Sequence, residues 1–408
     1  MKRVALLCLG LALGAASVAE AQLTMQMSNG WTFSFAGNVN AFAIYEAQDA
    51  DGATGVLSPA PGALVGAGEL KGSSIRTGLL PAFAVFDAKG KEGETDLSVH
   101  FGFAPQIQCG TQAHDCFGAQ IDMRQVFLTV GGTWGQILAG RELGLFNRQN
   151  ILTDQTLFGI GATGGINGGG TTLGRIGFGY IYPNFVAQMT YSTPAGRPTQ
   201  ISIGIFQPSS LAGDAGVVYD ETQVPRLEAE GVWKGGNNMV WVNGTVQNAK
   251  STDPLFDESK TAVGVGGGAK VGSAQFSLTG SGYWGKGIGT TLQFNGVNSG
   301  LGSAVDGLGV GGDGELRDSY GFIGQITITP ANSKVTLAGS YGSSYLKASD
   351  GEGDFKTENT LISGGIYYQA TKSLKVVGEG NYVWTKESVA DAEKNSAFAP
   401  TFGFMLFF

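Results

Sequence analysis

The last eleven residues of the chain alternate between large apolar and smaller side chains. One face of the resulting strand carries Phe398, Pro400, Phe402, Phe404, Leu406 and Phe408. Eleven residues are about the length that a tilted strand needs to cross a bilayer. At the edge of a soluble sheet such a strand would promote aggregation, whereas in a closed barrel the last strand pairs with the first. The pattern therefore predicts a transmembrane β-barrel.

The N-terminus has the features of a secretory signal. Lys2-Arg3 precede an apolar stretch from Val4 to about Leu13, and Ala19-Glu20-Ala21 matches an A-x-A cleavage site. A membrane-anchoring helix is the weaker alternative, because the apolar stretch is short and leads into small residues. We expect removal of residues 1–21 and one barrel domain over residues 22–408.

The composition favours the same fold class. No apolar run reaches the 18 or so residues that a membrane helix requires. Only 14 % of the residues are charged and the mean hydropathy is +0.05, which is typical of strands with one lipid-facing and one water-facing side. The formal net charge of −8 argues against a nucleic-acid partner, because phosphate backbones call for a basic surface.

Alternating segments predict sixteen antiparallel strands. Their approximate bounds are 31–45, 73–87, 94–106, 119–130, 135–146, 172–192, 200–207, 224–234, 238–249, 260–271, 274–286, 316–329, 334–347, 358–370, 373–386 and 398–408. Short turns alternate with longer connections, as in an up-and-down outer-membrane barrel. The sixth strand should bulge at Pro183, which cannot donate to the ladder. Reading Pro183-Asn184 as a turn would instead give seventeen strands.

Aromatic residues near predicted strand ends fit an interfacial girdle. The predicted lipid-facing aromatics include Phe178, Tyr180, Phe322, Tyr341, Tyr345, Tyr382 and Trp384. A soluble β-sandwich is the alternative, but it does not account for the large number of apolar strand faces that have no second layer to pack against.

Three motifs resemble the general porins of Gram-negative bacteria. The stretch from Arg124 to Arg141 matches an R-Q-x-F-x-x-x-x-G hairpin that leads into a strand ending in G-R. Tyr191-Ser192-Thr193-Pro194 is similar to another recurrent porin phrase, and the terminal Phe408 is similar to the family's signal for barrel insertion. Each motif alone is modest in specificity, but their order and spacing extend the resemblance over essentially the whole mature chain.

The resemblance implies a homotrimeric barrel in the cell outer membrane, surrounded by lipid and lipopolysaccharide and inserted by the barrel-assembly machinery. It also implies a third external loop, residues 147–171, that folds inward to narrow the pore. The loop departs from the family because it lacks the P-E-F-G phrase; Phe158-Gly159 is the nearest remnant, and Asp154 is its sole carboxylate.

Alternation assigns several charged residues to the water-facing side. Arg76 and Arg175 lie opposite apolar faces, and Arg124 shares its face with Asp122. Charged groups are too costly on the lipid side at mid-membrane. Arg141 is ambiguous by pattern, since it is in phase with Ile137, but the resemblance points it inward.

These arginines would form a basic wall beneath the inward loop. Asp154 and, across the barrel, Glu228, Glu230 and Glu379 would supply the opposing charge. Such a transverse field orients polar solutes and separates the paths of cations and anions. In the alternative reading, these residues pair with one another and stiffen the wall.

The remaining reactive residues give weaker signals. Cys109 and Cys116 predict a disulfide-closed loop in an oxidising compartment; a metal site that adds His114 is the alternative. His100 beside Ser98 invites a hydrolase reading, but no recognisable triad surrounds them. Acidic clusters in the long connections, such as Asp350 to Asp354, are read as solvated charge in preference to calcium sites.

The function predicted from these features is passive diffusion of small hydrophilic solutes and ions, without a cofactor, a metal or enzymatic activity. Two alternatives stay open. One is a solute-specific channel whose loop 147–171 forms a binding site. The other is a plugged structural or adhesive outer-membrane protein.

Overall fold

The structure is a computed structural model. It describes residues 23–28, 30–49, 69–107, 121–165, 170–213, 217–253, 258–294, 308–354, 356–387 and 394–408. Across these ranges we find no helix that is both long enough and apolar enough to cross a membrane. The expected signal sequence and the expected disulfide between Cys109 and Cys116, with the alternative ligand His114, lie outside the described residues.

Twenty strands make up most of the described chain. They are β1 (Leu23–Gln26), β2 (Thr32–Asp49), β3 (Leu70–Arg76), β4 (Phe83–Glu92), β5 (Thr95–Pro105), β6 (Ile121–Gly132), β7 (Gly135–Leu143), β8 (Phe185–Ser192), β9 (Thr199–Phe206), β10 (Leu211–Ala212), β11 (Val218–Tyr219), β12 (Arg226–Gly235), β13 (Asn238–Lys250), β14 (Ser259–Gly272), β15 (Phe276–Lys286), β16 (Asp318–Ile328), β17 (Val335–Lys347), β18 (Lys356–Gln369), β19 (Leu374–Glu387) and β20 (Asn395–Phe407). The described residues also contain helix α1 (Arg148–Thr153) and a 3-10 helix, Gln155–Phe158.

Eighteen of these strands form one antiparallel sheet that closes on itself. Neighbours pair in chain order, and β20 pairs with β2 from Phe407↔Asn38 to Ser396↔Asp49. The short β1 pairs with the start of β2, and β3 and β4 follow one another along a single barrel position. Sixteen positions remain, which confirms the predicted closed barrel and its strand number.

The barrel wall has an apolar outer face and a mostly polar inner face. In β9, Ile201, Ile203 and Ile205 are 54 %, 55 % and 44 % exposed, whereas Ser202 and Phe206 are 3 % and 2 % exposed. Successive side chains of a strand point to opposite faces, so this period of two separates outside from inside. The exposed apolar band is the surface that a lipid-facing barrel requires.

The predicted second strand is interrupted, which corrects its bounds of 73–87. Residues 77–82 leave the ladder between β3 and β4 and are buried. The side-chain amides of Asn38 and Asn40 donate instead to the carbonyls of Pro81 and Leu80, at 3.1 and 3.0 Å. At Gly78 an added Cβ would lie 2.2 Å from the carbonyl oxygen of Gly159, so the break lets another segment approach the wall closely.

The prediction of one long strand over 172–192 is wrong. The ladder begins at Phe185, and residues 172–184 lie outside it. Gly174 and Gly177 adopt φ values of 57° and 82°, a left-handed backbone that interrupts an extended strand. Phe178 and Tyr180, predicted to face lipid, are fully buried in the interior. Their alternation was real, but it reflects packing inside the barrel.

The C-terminal residue is integrated into the closing seam. The N–H of Phe408 donates to the carbonyl of Gly37 at 2.9 Å, and the N–H of Gly37 donates back at 2.7 Å. The rings of Phe408 and Phe35 lie 5.3 Å apart. Thus the terminal aromatic residue joins the first and last barrel strands.

Candidate pore constriction

A segment of forty-one residues enters the barrel between β7 and β8. We call residues 144–184 the inner segment; its described parts, 144–165 and 170–184, are largely buried. Asn147 adopts φ 62° before α1, and Asp154 caps the 3-10 helix by accepting from the N–H of Thr156 at 2.9 Å. These local turns let the segment fold compactly.

One side of the inner segment is held by carboxylates of β12. Glu228 accepts the N–H groups of Leu145 and Phe146 at 2.7 and 3.0 Å. Glu230 accepts from Arg148 at 2.5 Å and from Gln149 at 3.1 Å. Both glutamates are at most 3 % exposed. They point inward as predicted, but they bind the segment and do not border open water.

The other side is held by β19, seven positions from β12 around the ring of sixteen. The carboxylate of Glu379 accepts the N–H groups of Ile160 and Gly161 at 2.7 and 3.0 Å, and the hydroxyl of Tyr367 at 2.8 Å. Since β12 and β19 lie on nearly opposite sides, the inner segment reaches across the barrel interior.

Asp154 and Arg175 lie within the inner segment and form a buried cluster. Their closest charged atoms, Asp154 Oδ1 and Arg175 Nε, are 3.9 Å apart, and both side chains are 0 % exposed. Tyr180 donates to Asp154 at 2.9 Å, and Arg175 donates to the Leu361 carbonyl and to Ser340 at 2.8 and 2.5 Å. The prediction that Arg175 lies on a barrel strand is therefore wrong, because the residue belongs to the inner segment. Its donors tie the segment to β17 and β18.

Arg76 also binds the inner segment. Its guanidinium donates to the carbonyls of Gly165, Gly170 and Thr171 at 3.4, 3.3 and 2.8 Å, and the residue is 2 % exposed. A buried guanidinium needs such acceptors to offset the loss of water. Arg76 faces inward as alternation predicted, but backbone carbonyls enclose it.

Arg124, Arg141 and Asp122 remain accessible and border a cavity of about 360 Å³. Arg124 Nε lies 2.7 Å from Asp122 Oδ2, and the Arg124 guanidinium lies 5.8 Å from the ring centre of Phe185. Arg141 is exposed and aligned with Val126 in the ladder. We call Arg124 and Arg141 the cavity arginines. Among the charged residues predicted for the constriction, they and Asp122 are the ones that the structure brings to a common open space.

The cavity lies between the inner segment and the wall of β4 to β8. Besides the three charged residues it is bordered by Leu79, Leu80, Pro81, Phe83, Leu143, Ile151, Leu152, Leu157, Thr171, Thr172, Leu173, Ile176, Tyr182, Asn184, Phe185 and Leu292. Apolar side chains dominate this set. The cavity is thus lined by charged side chains of β6 and β7 together with a larger number of apolar residues.

His100 and Ser98 have separate partners. His100 Nδ1 lies 2.8 Å from Asp87 Oδ1, and its ring stacks on Phe127 at 4.5 Å. The Ser98 hydroxyl lies 2.5 Å from that of Thr129. A hydrolytic triad needs the serine on the histidine, and these contacts do not form that chain.

An ion pair at the long-loop end involves one of the acidic clusters. Arg317 donates to Glu352 at 2.7 and 2.5 Å, and Glu352 also accepts from the N–H of Gly312 and from Ser349. Desolvation raises the pKa of Glu352, but the hydrogen bonds from Arg317, Gly312 and Ser349 outweigh it and lower the pKa to about 2. Among the described residues, no group of three or more histidine, cysteine or acidic side chains is arranged to hold a metal ion.

Several anchoring residues were not predicted from the sequence. Gln325 accepts the N–H of Gln155 at 2.7 Å, and Trp241 donates to Asn150 at 2.7 Å. Lys375 places its ammonium 3.7 Å from the ring centre of Phe158. Gln325, Trp241 and Lys375 all lie on inward-facing strand positions, so strand alternation predicts that their side chains point into the barrel. It does not predict which residues of the inner segment they contact.

No protein-family model and no curated protein matches the chain. Solved structures do match over nearly its full length. The outer membrane channel DcaP of Acinetobacter baumannii is 17 % identical, with 94 % of this chain and 99 % of that chain covered and a TM-score of 0.63. The anion-selective porin from Comamonas acidovorans is 11 % identical, with 93 % and 100 % covered and a TM-score of 0.62. Salmonella typhi OmpF in complex with daunomycin is 12 % identical, with 94 % of this chain and 100 % of that chain covered and a TM-score of 0.58. The chain therefore has the transmembrane β-barrel fold of the outer-membrane porins.

Proposed function

We propose that this chain forms a water-filled channel in the bacterial outer membrane and passes small hydrophilic solutes and ions by passive diffusion. The observation that carries the proposal is the closed sixteen-position barrel, apolar outside and largely polar inside. A membrane wall of this kind encloses an interior that water and solutes can enter. The similar structures include porins and an outer membrane channel, and this similarity supports the same function.

Selectivity in this proposal resides at the cavity arginines and Asp122. Arg76, Arg175, Asp154, Glu228 and Glu230 were expected to share this role, but their hydrogen bonds support a role in positioning the inner segment. Ion selectivity depends on the charge and width of the narrowest part of a pore. In this proposal the accessible charges beside the cavity therefore determine the ion selectivity.

A solute-selective channel is the second candidate. The inner segment is bound to β12 on one side and to β19 on the other, and this arrangement favours a narrow, fixed passage over a wide one. A fixed passage with an apolar lining discriminates between solutes by shape as well as by size.

The mature protein would begin at residue 22 and assemble as a homotrimer in contact with lipid and lipopolysaccharide. We expect Phe408 to be read by the barrel-assembly machinery, and Cys109 and Cys116 to form a disulfide. We expect no catalytic activity, since His100 and Ser98 have separate partners.

Planar-bilayer recording tests the proposal. We expect the purified oligomer to give stepwise, ohmic current increments in potassium chloride. A protein that inserts into the bilayer but passes no current would contradict the channel and support the plugged alternative. Saturable block by one solute at micromolar to millimolar concentration would support the second candidate.

A further inference from the structure

The cavity is lined by two chemically different kinds of side chain. Its charged side is formed by Asp122 and the cavity arginines, with Tyr182 beside them. Its apolar side includes Leu80, Phe83 and Leu152. At about 360 Å³ it lies within the range of roughly 300–1,000 Å³ that is usual for small-molecule sites.

The charged side favours an anion. Two arginines and one aspartate line the cavity, so its charged residues together have a net positive charge. The ion pair with Asp122 uses the Nε donor of Arg124, and a guanidinium carries five N–H donors in a planar fork. We find no ion pair that involves Arg141 within the described ranges. Guanidinium groups of this kind suit the two oxygens of a carboxylate.

The apolar side is fixed before any ligand arrives. Ile151, Leu157, Leu173 and Ile176 of the inner segment pack in the same buried cluster as Leu80. A preformed apolar surface rewards a ligand with a hydrocarbon body, because both surfaces leave water on binding. A fully hydroxylated solute would lose hydrogen bonds to water there without replacing them.

We propose that this cavity binds a small carboxylate with an apolar body, such as an aromatic or branched aliphatic acid, and that solutes of this class pass the channel preferentially. The carboxylate contacts the cavity arginines, and the body lies against Leu80, Phe83 and Leu152. The second half of this inference rests on the proposed channel function, whereas binding itself does not.

The experiment is calorimetric titration of the detergent-solubilised oligomer with three probes. Benzoate carries both features, gluconate has the same charge on a hydroxylated body, and benzylammonium has the ring with the opposite charge. We expect saturable benzoate binding at least about tenfold tighter than binding of the other two, as the loss of one charged hydrogen bond or one buried ring predicts. Titration into detergent alone corrects for partitioning into micelles.

Three variants locate the site. The double change Arg124→Gln with Arg141→Gln should weaken benzoate binding at least about tenfold, and Leu152→Asn, at the half-buried apolar side, should also weaken it. Arg197→Gln, an exposed arginine in the turn between β8 and β9, is the matched control and should bind like the parent.

The outcomes separate the two ideas. Measurements on the parent protein alone can overturn the inference. They do so if gluconate or benzylammonium binds as tightly as benzoate, or if benzoate does not bind. Benzoate binding that survives the double arginine change also overturns it. Current in potassium chloride reports the channel independently: absence of current with saturable benzoate binding refutes the channel but retains the site.

Discussion

Replacement of Glu379 by alanine should loosen the inner segment without opening the barrel wall. The carboxylate is 5 % exposed and accepts hydrogen bonds from the N–H groups of Ile160 and Gly161 and from Tyr367 and Asn381. Its side chain lies on the inner face, so its removal leaves the β19 ladder in place. The change therefore tests one anchor of the segment.

The structure allows the effect to be estimated. A hydrogen bond to a charged group contributes about 1.5–3 kcal/mol, so the two N–H groups of the segment account for about 3–6 kcal/mol. Water that enters the vacated space replaces part of this, which leaves about 2–4 kcal/mol. Because about 1.4 kcal/mol corresponds to tenfold, local opening should become about 30- to 1,000-fold more frequent.

Hydrogen exchange followed by mass spectrometry measures this opening at Ile160 and Gly161. We expect Glu379→Ala to accelerate exchange in peptides that span residues 159–161, while exchange in the β16–β17 hairpin stays unchanged. Glu92→Ala, at the exposed end of β4, is the control for the loss of one glutamate. If peptides over residues 159–161 exchange at the same rate in both variants, the carboxylate does not anchor the segment and the reasoning is refuted.

Three further predictions follow from the same structure. Glutamate at both cavity arginines should shift the reversal potential in a potassium chloride gradient toward cations, whereas glutamate at Arg197 should not; an unchanged potential would remove the cavity from the selectivity filter. Gly78→Ala should lower stability by about 1–3 kcal/mol through overpacking, while Gly364→Ala, where a Cβ meets nothing within 4 Å, should not; the temperature of heat-dependent unfolding on gels tests this difference. The pKa of Glu352, about 2, lies below its ordinary value, so its ion pair contributes stability above about pH 4.5 that is lost as the pH falls toward 2; protection of the loop from pepsin should therefore persist at pH 4 and decline near pH 2, and protection that is already lost at pH 4 would contradict it.

The sequence predicted the strands of the barrel wall better than the packing of the inner segment inside the barrel. Strand alternation is a local signal, and it placed Glu228, Glu230 and Glu379 on the inner face correctly. Their partners are not local: Glu379 and Ile160 are 219 positions apart. Periodicity states which side of a sheet a residue faces, but it does not state what lies opposite.

The error at residues 172–184 has the same physical origin. Ile176, Phe178 and Tyr180 alternate with Gly177 and Gly179 as in a lipid-facing strand, and packing inside the barrel favours the same kinds of residue. The positive φ values at Gly174 and Gly177 exclude a continuous ladder, but glycine is also common in barrel strands, so its presence in the sequence did not discriminate between the two structures.

The burial of the carboxylates changes the expected charge of the passage. A transverse field needs acidic and basic groups that both border the solute path, yet Glu228, Glu230 and Glu379 are each at most 5 % exposed and have hydrogen-bond donors from the inner segment. The charges that border the open cavity are the two arginines and Asp122. Because accessible charge along the solute path dominates selectivity, we expect the proposed channel to favour anions even though the chain as a whole has a net charge of −8.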